Sequence, residues 1–147
     1  MELTYYTDFA LRVLLYAAGH PERRVTMREI AGAYGISQEH LRKVVHRLAR
    51  HGYLRTVQGR AGGMQLAQPA TQIRVGEIIQ LMEDSLELID CDREPCPLSG
   101  ACSLKRALDE ARALFLKHLD QITLAQLLED PATARQIRNL ATQAGPA

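Results

Sequence analysis

The first third of the chain alternates between apolar stripes at helical spacing and short polar turns. Residues 5–18 contain neither glycine nor proline and are apolar around much of a helical circumference, which predicts a helix buried on two sides. Residues 26–33 predict a second, shorter helix. In residues 38–50 the apolar positions fall at i, i+3, i+4 and i+7, which predicts a third helix with one buried face: Leu41, Val44, Val45 and Leu48.

Capping and turn residues agree with these helix limits. Thr26 and Glu29 have the spacing of a capping box. Ser37 can cap the third helix, and Gly52 follows its end. Gly35 lies between the second and third helices and can adopt the left-handed conformation of a tight turn. Two short helices joined by a glycine turn predict a helix-turn-helix motif.

A glycine-rich segment follows the third helix. Residues 53–57 and 64–67 are short stretches of apolar and polar residues that flank the segment 58–63, which predicts a β-hairpin, the wing of a winged helix. Arg60 lies at its tip and is a candidate for insertion into a DNA minor groove. The glycines could also suggest a phosphate-binding loop, but such a loop connects a strand to a helix and carries a Lys-Ser or Lys-Thr pair that this chain lacks.

The second half of the chain predicts two more helices before its end. Residues 75–82 are helical by periodicity, although Arg74 stands where a serine or threonine cap is expected. Residues 103–119 predict a longer helix with one apolar stripe: Leu104, Leu108, Ala111, Phe115 and Leu119. A chain of this size has few elements to cover such a helix, so a second protomer is the expected cover.

The predicted architecture is mainly α. Residues 1–75 form a winged helix-turn-helix DNA-binding domain, whose first helix also packs at a dimer interface. Residues 76–130 contain a cysteine-bearing loop and the long dimerisation helix, and Thr123 with Gln126 forms a capping box for a brief helix after it. Residues 131–147 are expected to be a weakly ordered tail.

Net charge is +1, but it is divided unevenly between the two halves. Residues 1–75 contain 11 Lys/Arg and 5 Asp/Glu, whereas residues 76–147 contain 7 and 12. The basic first half predicts a polyanionic partner, and the helix-turn-helix indicates double-stranded DNA. We expect residues 37–43 to meet base edges and Arg47 and Arg50 to meet phosphates. The candidate DNA-binding residues are Arg28, Ser37, Gln38, Glu39, His40, Arg42, Lys43, His46, Arg47 and Arg60.

All three cysteines lie close together, as Cys91, Cys96 and Cys102 in the spacing C-x4-C-x5-C. Two prolines and a glycine among them predict a loop. Thiolates that converge on one point suit zinc or an iron–sulfur cluster, but three sulfurs leave either one ligand short of four. An odd number cannot pair completely into disulfides, and the charged neighbours are not core composition, so disulfides and buried thiols are weaker explanations.

Asp8 has an ordinary explanation in the local sequence. Thr7 is a candidate N-cap, which would place Asp8 in the first turn of the helix, where a carboxylate opposes the helix dipole. Asp8 also precedes Arg12 by four residues, the spacing of a helical ion pair.

Four motifs together resemble the IscR/NsrR group of bacterial winged-helix regulators, and most closely its nitric-oxide-sensing NsrR branch. They are the segment 7–12, the helix-turn-helix at 26–51, the sequence Arg-Ala-Gly-Gly-Met-Gln-Leu at 60–66, and the three cysteines followed by Ser-Leu-Lys. The resemblance covers roughly residues 1–130.

The resemblance implies a homodimer with one iron–sulfur cluster per protomer, held by Cys91, Cys96 and Cys102. In NsrR-like members the fourth ligand is an acidic residue near the start of the first helix of the other protomer, which corresponds to Asp8. The IscR branch instead uses a histidine at the position of Lys105, so this departure argues against that branch. A 4Fe–4S cluster is favoured over a 2Fe–2S cluster.

The resemblance implies a transcriptional repressor that senses nitric oxide through its cluster, and the helix-turn-helix predicts that it releases operator DNA by a change in half-site geometry. The alternatives are an iron-, redox- or cluster-status sensor of the same group, a winged helix with structural zinc, and a metal-free thiol switch. An enzyme is not expected, because the sequence has no nucleotide-binding loop, catalytic triad or Glu-x-x-His pair. Without a secretory signal or an apolar run of membrane-spanning length, the expected location is the cytoplasm.

Overall fold

A computed structural model describes residues 2–59, 61–91, 93 and 95–143, with side chains described as far as residue 140. The helices and strands follow the predicted order, and the fold is mainly helical with one antiparallel hairpin. They are α1 (Tyr5–Ala18), α2 (Met27–Tyr34), α3 (Gln38–Arg50), β1 (Leu54–Val57), β2 (Gly63–Leu66), α4 (Val75–Met82), α5 (Ser103–Leu119), α6 (Leu124–Glu129) and α7 (Pro131–Gln143).

The helix-turn-helix has the predicted caps. Thr26 Oγ1 accepts the amide of Glu29 at 3.1 Å, and the Glu29 carboxylate accepts the amide of Thr26 at 3.3 Å, which closes the capping box of α2. Gly35 has φ 65°, a left-handed turn that brings α3 across α2. Ser37 Oγ then accepts the amide of His40 and caps α3.

The wing is a two-stranded hairpin with Leu54 opposite Leu66 and Val57 opposite Gly63. Its root is held by Val25, whose amide and carbonyl pair with Met64 at 2.9 and 2.7 Å. The pairing of Val25 with the hairpin was not predicted, because a single bridge does not produce the alternation of apolar and polar residues that marks a strand. Arg60, the predicted tip residue, lies outside the described residues.

Helix α1 lies at the centre of the core and packs against α3, α4, β2 and α6. Its Val13, Leu14 and Tyr16 side chains are completely buried, as expected for a helix covered on two sides. The apolar stripe of α3 is buried as predicted. The first and third helices therefore share one core, which places the polar face of α3 outward.

Two details of α1 and α4 bear on the predicted caps. Helix α1 begins at Tyr5, so Thr7 is inside the helix and is not its N-cap. Thr7 is instead fully buried and donates from Oγ1 to Glu83, which lies 76 residues away in sequence. Helix α4 begins after Arg74 without a side-chain cap, as the sequence indicated.

The end of the chain differs from the expected weakly ordered tail, because residues 131–143 form α7. Asp130 accepts hydrogen bonds from the amides of Ala132 and Thr133, and Pro131 is the first helical residue, a favourable start for a helix. Ile137 is only 6% exposed and packs beside Gly19, in a gap that a β-carbon at Gly19 would fill. In the described ranges, none of the helices combines the length and apolarity needed to cross a membrane.

Candidate DNA-binding face and cysteine site

The outer face of α3 is polar, basic and accessible. Most of the predicted DNA-binding side chains of this helix are exposed and Arg47 is half-buried, while Arg28 is exposed on α2. Because the opposite face of α3 is locked into the core, this surface has a fixed orientation in the fold. The exposed set on α3 comprises Gln38, Glu39, His40, Arg42, Lys43, His46 and Arg50.

Two of the predicted DNA-binding residues at the start of α3 have partners within the chain. The Ser37 oxygen is occupied by the amide of His40, so its role in the free protein is that of a helix cap. The His40 ring lies 6.1 Å from the Tyr6 ring and 6.3 Å from the Phe9 ring, measured between centroids. The start of α3 is thus braced against aromatic residues of α1, a contact that no local pattern in the sequence signals.

A cleft of about 460 Å³ separates α3 from the hairpin. Arg42 and His46 line one side of it, and Gly59 and Gly62 line the other. Arg24 donates from its guanidinium to the carbonyl of Ala61 at 3.2 Å and so supports the wing from behind. Helix and wing together form the kind of two-part surface with which winged helices contact DNA.

The three cysteines line one open cleft of about 620 Å³ beside the start of α5. All three are free thiols, with Cys96 exposed and Cys91 and Cys102 half-buried. Among the described residues, no group of three His, Cys, Asp or Glu side chains converges closely enough to hold a metal ion. The chain therefore brings the predicted ligands to one cleft without assembling them into a metal site.

The chemistry of this cleft suits thiolate ligands. Cys102 Sγ accepts the amide of Lys105 at 3.4 Å, which makes Cys102 the N-cap of α5 and places its sulfur at the positive end of the helix dipole. The Lys105 ammonium also lines the cleft and donates to Asp109 at 3.1 Å. The hydrogen bond to Asp109 raises the pKa of Lys105, so a cation stays beside the thiols. Three free thiols, an amide donor and a cation fit an anionic, thiolate-held group.

Asp8 makes the predicted ion pair with Arg12, at 2.8 Å and 2.9 Å. The Arg12 guanidinium also lies 5.6 Å from the centroid of the Tyr34 ring, at the end of α2. The side chain of Asp8 remains 42% exposed and does not line the cysteine cleft of its own chain. Its assignment as fourth ligand stays a prediction that needs a second protomer.

Sequence reasoning missed Glu83, the first residue after α4, from which the chain continues toward the cysteines. Its Oε1 accepts the amide of Thr4 at 2.7 Å, the hydroxyl of Thr4 at 3.0 Å and the hydroxyl of Thr7 at 2.5 Å. No spacing rule connects residues this far apart, so nothing in the sequence could have identified the contact.

The profile of the family described as "Rrf2: Iron-dependent Transcriptional regulator" matches residues 3–130. The chain belongs to the Rrf2 family. The predicted regulator class is thereby confirmed, and so is the prediction that the chain is not an enzyme. The resemblance to the IscR/NsrR group is confirmed at the level of this family.

Solved structures of related regulators share the fold of this Rrf2 chain. IscR from T. potens is 26% identical, with a TM-score of 0.73 over 89% of this chain and 88% of that one. The oxidised form of CymR from Staphylococcus aureus is 28% identical, with a TM-score of 0.73 over 88% of this chain and 97% of that one. CymR from B. subtilis, described as the global cysteine regulator, is 20% identical and has the same TM-score over 88% and 97%. The winged helix fold predicted from the sequence is confirmed by these neighbours.

Proposed function

We propose that this Rrf2-family regulator is a homodimeric repressor whose hold on operator DNA depends on an iron–sulfur cluster, with nitric oxide as its signal. The observation that carries this proposal is the cleft lined by the free thiols of Cys91, Cys96 and Cys102, where Cys102 accepts the amide of Lys105 and the Lys105 side chain lines the same cleft. A matching family described as iron-dependent, and a similar fold in IscR, support a cluster over zinc.

Residues 1–75 are the DNA-binding part in this proposal. Gln38, Glu39, Arg42 and Lys43 on the first turns of α3 read base edges, while Arg47 and Arg50 contact phosphates. His40 and His46 complete the outer face of the helix, Arg28 approaches from α2, and Arg60 of the wing enters the adjacent minor groove. Ser37 acts mainly by capping the helix that carries these residues.

Dimerisation involves α5, which has no buried residue in the described chain. Its exposed apolar positions differ in part from the stripe predicted from the sequence, because Leu108, Phe115 and Leu119 turn half-buried toward their own chain. The remaining face combines two large and two small residues at spacings of three, four and three: Leu104, Ala107, Ala111 and Leu114. Alanines between leucines allow two helices to approach closely, as a helix pair from two protomers would.

The residues of this chain would hold the cluster as three thiolates from the cleft and one carboxylate from the partner protomer's first helix. Bound there, a 4Fe–4S cluster would supply iron that reacts with nitric oxide. Asp8 is the weakest member of the set, because a carboxylate is a hard ligand and the thiolates are soft. In the isolated chain Asp8 pairs with Arg12, so a role as ligand requires Arg12 to share or give up this carboxylate.

The test begins with protein purified without air and with a duplex that the protein selects from a random-sequence library. We expect iron and acid-labile sulfide in the purified protein, a visible absorption band that changes with nitric oxide, and at least about tenfold weaker DNA binding afterwards. Cys96→Ser should remove the band and the response while the winged helix stays folded. Colourless protein that contains zinc, or DNA binding that ignores nitric oxide, would refute the proposal.

A thiol-redox switch is the second candidate, because Cys96 is exposed and all three thiols are free to react. In that case metal-free protein would lose DNA affinity on mild oxidation and regain it with a reductant. The same Cys96→Ser variant would block this response too, so the iron and sulfide content of the parent protein separates the two candidates.

A further inference from the structure

The corner at Glu83 joins three parts of the protein. Glu83 is the first residue after α4, and the segment 84–90 leads from it directly to Cys91. One of its carboxylate oxygens accepts hydrogen bonds from Thr4 and Thr7, at the start of α1. The start of the segment that leads to the cysteines is therefore hydrogen-bonded to the first turn of α1.

This attachment organises the first turn of α1. Thr4 makes no side-chain cap bond to its own helix, but its carbonyl accepts the amides of Thr7 at 3.0 Å and Asp8 at 3.2 Å. Glu83 holds Thr4 through both the amide and the hydroxyl, so it fixes the residue on which this turn is built. The turn includes Asp8, the proposed ligand for the other protomer.

The same corner borders the recognition helix. Glu83, Asp84 and Met82 line a cleft of about 430 Å³ whose other wall includes Lys43 and Arg47 of α3. Asp84 lies 3.7 Å from the Arg47 guanidinium. This ion pair is exposed and contributes little to stability, but it shows that the segment after α4 lies beside α3.

Tyr6 completes this cleft and also makes the edge contact with His40. A shift of the first turn of α1 would therefore displace the Tyr6 ring against His40 and change the position of the start of α3.

We propose that Glu83 is a positioning residue that couples the cysteine segment to the recognition helix. A change in the segment 84–91 moves Glu83, Glu83 moves Thr4 and Thr7, and the aromatic residues of that turn move against His40. This inference rests on the proposed function in one respect: it assumes that a chemical event at the cysteines controls DNA binding. The contacts themselves belong to the single chain and need no bound group.

The experiment compares the parent protein with Glu83→Ala, Glu83→Gln and Glu87→Ala. Glutamine keeps an oxygen that can accept the same three hydrogen bonds, and Glu87 is an exposed acid of the same segment, so Glu87→Ala is the matched control. For each variant, affinity for the selected duplex is measured in the iron–sulfur-reconstituted and the metal-free form. Amide hydrogen exchange of α1 is measured on the metal-free form alone.

We expect a reconstituted-to-metal-free affinity ratio of about tenfold or more in the parent, which falls below about threefold in Glu83→Ala. Glu83→Gln should keep most of the parent ratio, and Glu87→Ala should keep all of it. Exchange at the first-turn amides of α1 should be faster in Glu83→Ala than in either of these variants. If Glu83→Ala does not fold, Thr7→Val removes one of the three donors with little change of volume and should lower the ratio in part.

Two results would overturn the inference in different ways. A Glu83→Ala protein that exchanges faster in α1 but keeps the full parent ratio would show that the contact is only structural. A parent ratio of one would refute the proposed function and remove the coupling with it, whatever the exchange data show.

Discussion

At the scale of single residues, the buried hydroxyl of Tyr16 has a partner on another helix. Tyr16 is completely buried in α1, and its hydroxyl donates to Glu29 of α2 at 2.7 Å. Arg23 donates to the same carboxylate at 2.5 and 3.1 Å. Burial, followed by the contact with Glu29, raises the pKa of Tyr16, so the phenol stays a donor throughout the working pH range. These three residues tie the first helix to the helix-turn-helix.

Glu29 should make stability depend on acid pH. Burial alone would raise its pKa, but hydrogen bonds from Arg23 and Tyr16 lower it below the ordinary value of 4.5. The folded state then binds fewer protons than the unfolded state, so this stabilisation is complete above pH 4.5 and is lost as the pH falls through the folded pKa. Glu29→Gln should lower the free energy of unfolding by about 1–3 kcal/mol at neutral pH and by much less in acid.

Urea unfolding of the metal-free protein at a series of pH values measures this difference. Glu22→Gln, an exposed acid in the loop before α2, is the control and should follow the parent at every pH. Parallel curves for Glu29→Gln and the parent would show that the carboxylate contributes nothing as a charge.

At the scale of elements, what the sequence predicted well was local. The limits of α4 and α5 and the caps of α2, α3 and α6 all depend on residues within four positions of one another, and all are confirmed. The contact between Thr7 and Glu83 joins residues 76 positions apart, and the sequence analysis missed it for that reason. The helix at the end of the chain begins with a local signal at Asp130 and Pro131 that the sequence analysis did not use. The limits of α5 were predicted correctly. Which of its apolar residues are exposed was predicted only in part, because this depends on how α5 packs against α4.

The candidate site also combines local features, which the sequence can predict, with contacts between distant residues, which it cannot. The shared loop of Cys91, Cys96 and Cys102 could be predicted from their spacing and from the prolines and glycine among them, and in the described chain the three cysteines line one cleft without converging into a metal site. The cap that Cys102 provides for α5 is a local contact that the sequence analysis did not identify. The attachment of Glu83 to Thr4 could not be predicted, because the two residues lie 79 positions apart. The fourth ligand came only from family resemblance, since a residue contributed by another protomer leaves no local pattern.

Ser37 provides a test at the scale of one helix. Because its Oγ caps α3, Ser37→Ala should lower the free energy of unfolding by about 1 kcal/mol, whereas Ser37→Asn, which can also cap, should cost much less. DNA affinity of Ser37→Ala should fall by a similar factor on selected and unrelated duplexes, because the helix start is loosened and no base contact is lost. A stable Ser37→Ala protein that loses only discrimination between duplexes would instead make Ser37 a reader of bases.

At the scale of the whole molecule, the outer face of α5 exposes two large apolar side chains in the described chain. Leu104 is 61% exposed and Leu114 is 67% exposed, although both belong to a helix that packs its other side on α4. Two recognition helices must be held about one helical turn of DNA apart to bind two half-sites, near 34 Å. A helix pair formed by two copies of this face would supply that rigid spacing.

Among the residues of this face, substitution of Leu114 should weaken dimerisation most. Burying a leucine contributes about 1.5–3 kcal/mol, and a two-fold interface contains the residue twice, so Leu114→Gln should weaken dimerisation by at least a hundredfold, at about 1.4 kcal/mol per tenfold. Sedimentation of the metal-free protein measures this, and binding to a duplex with a single half-site should be unaffected. Lys117→Gln, exposed on the same helix beside the stripe, should remain dimeric. If Leu114→Gln sediments as the parent does, the two protomers meet elsewhere, and a ligand from the partner's first helix must be sought in a different arrangement.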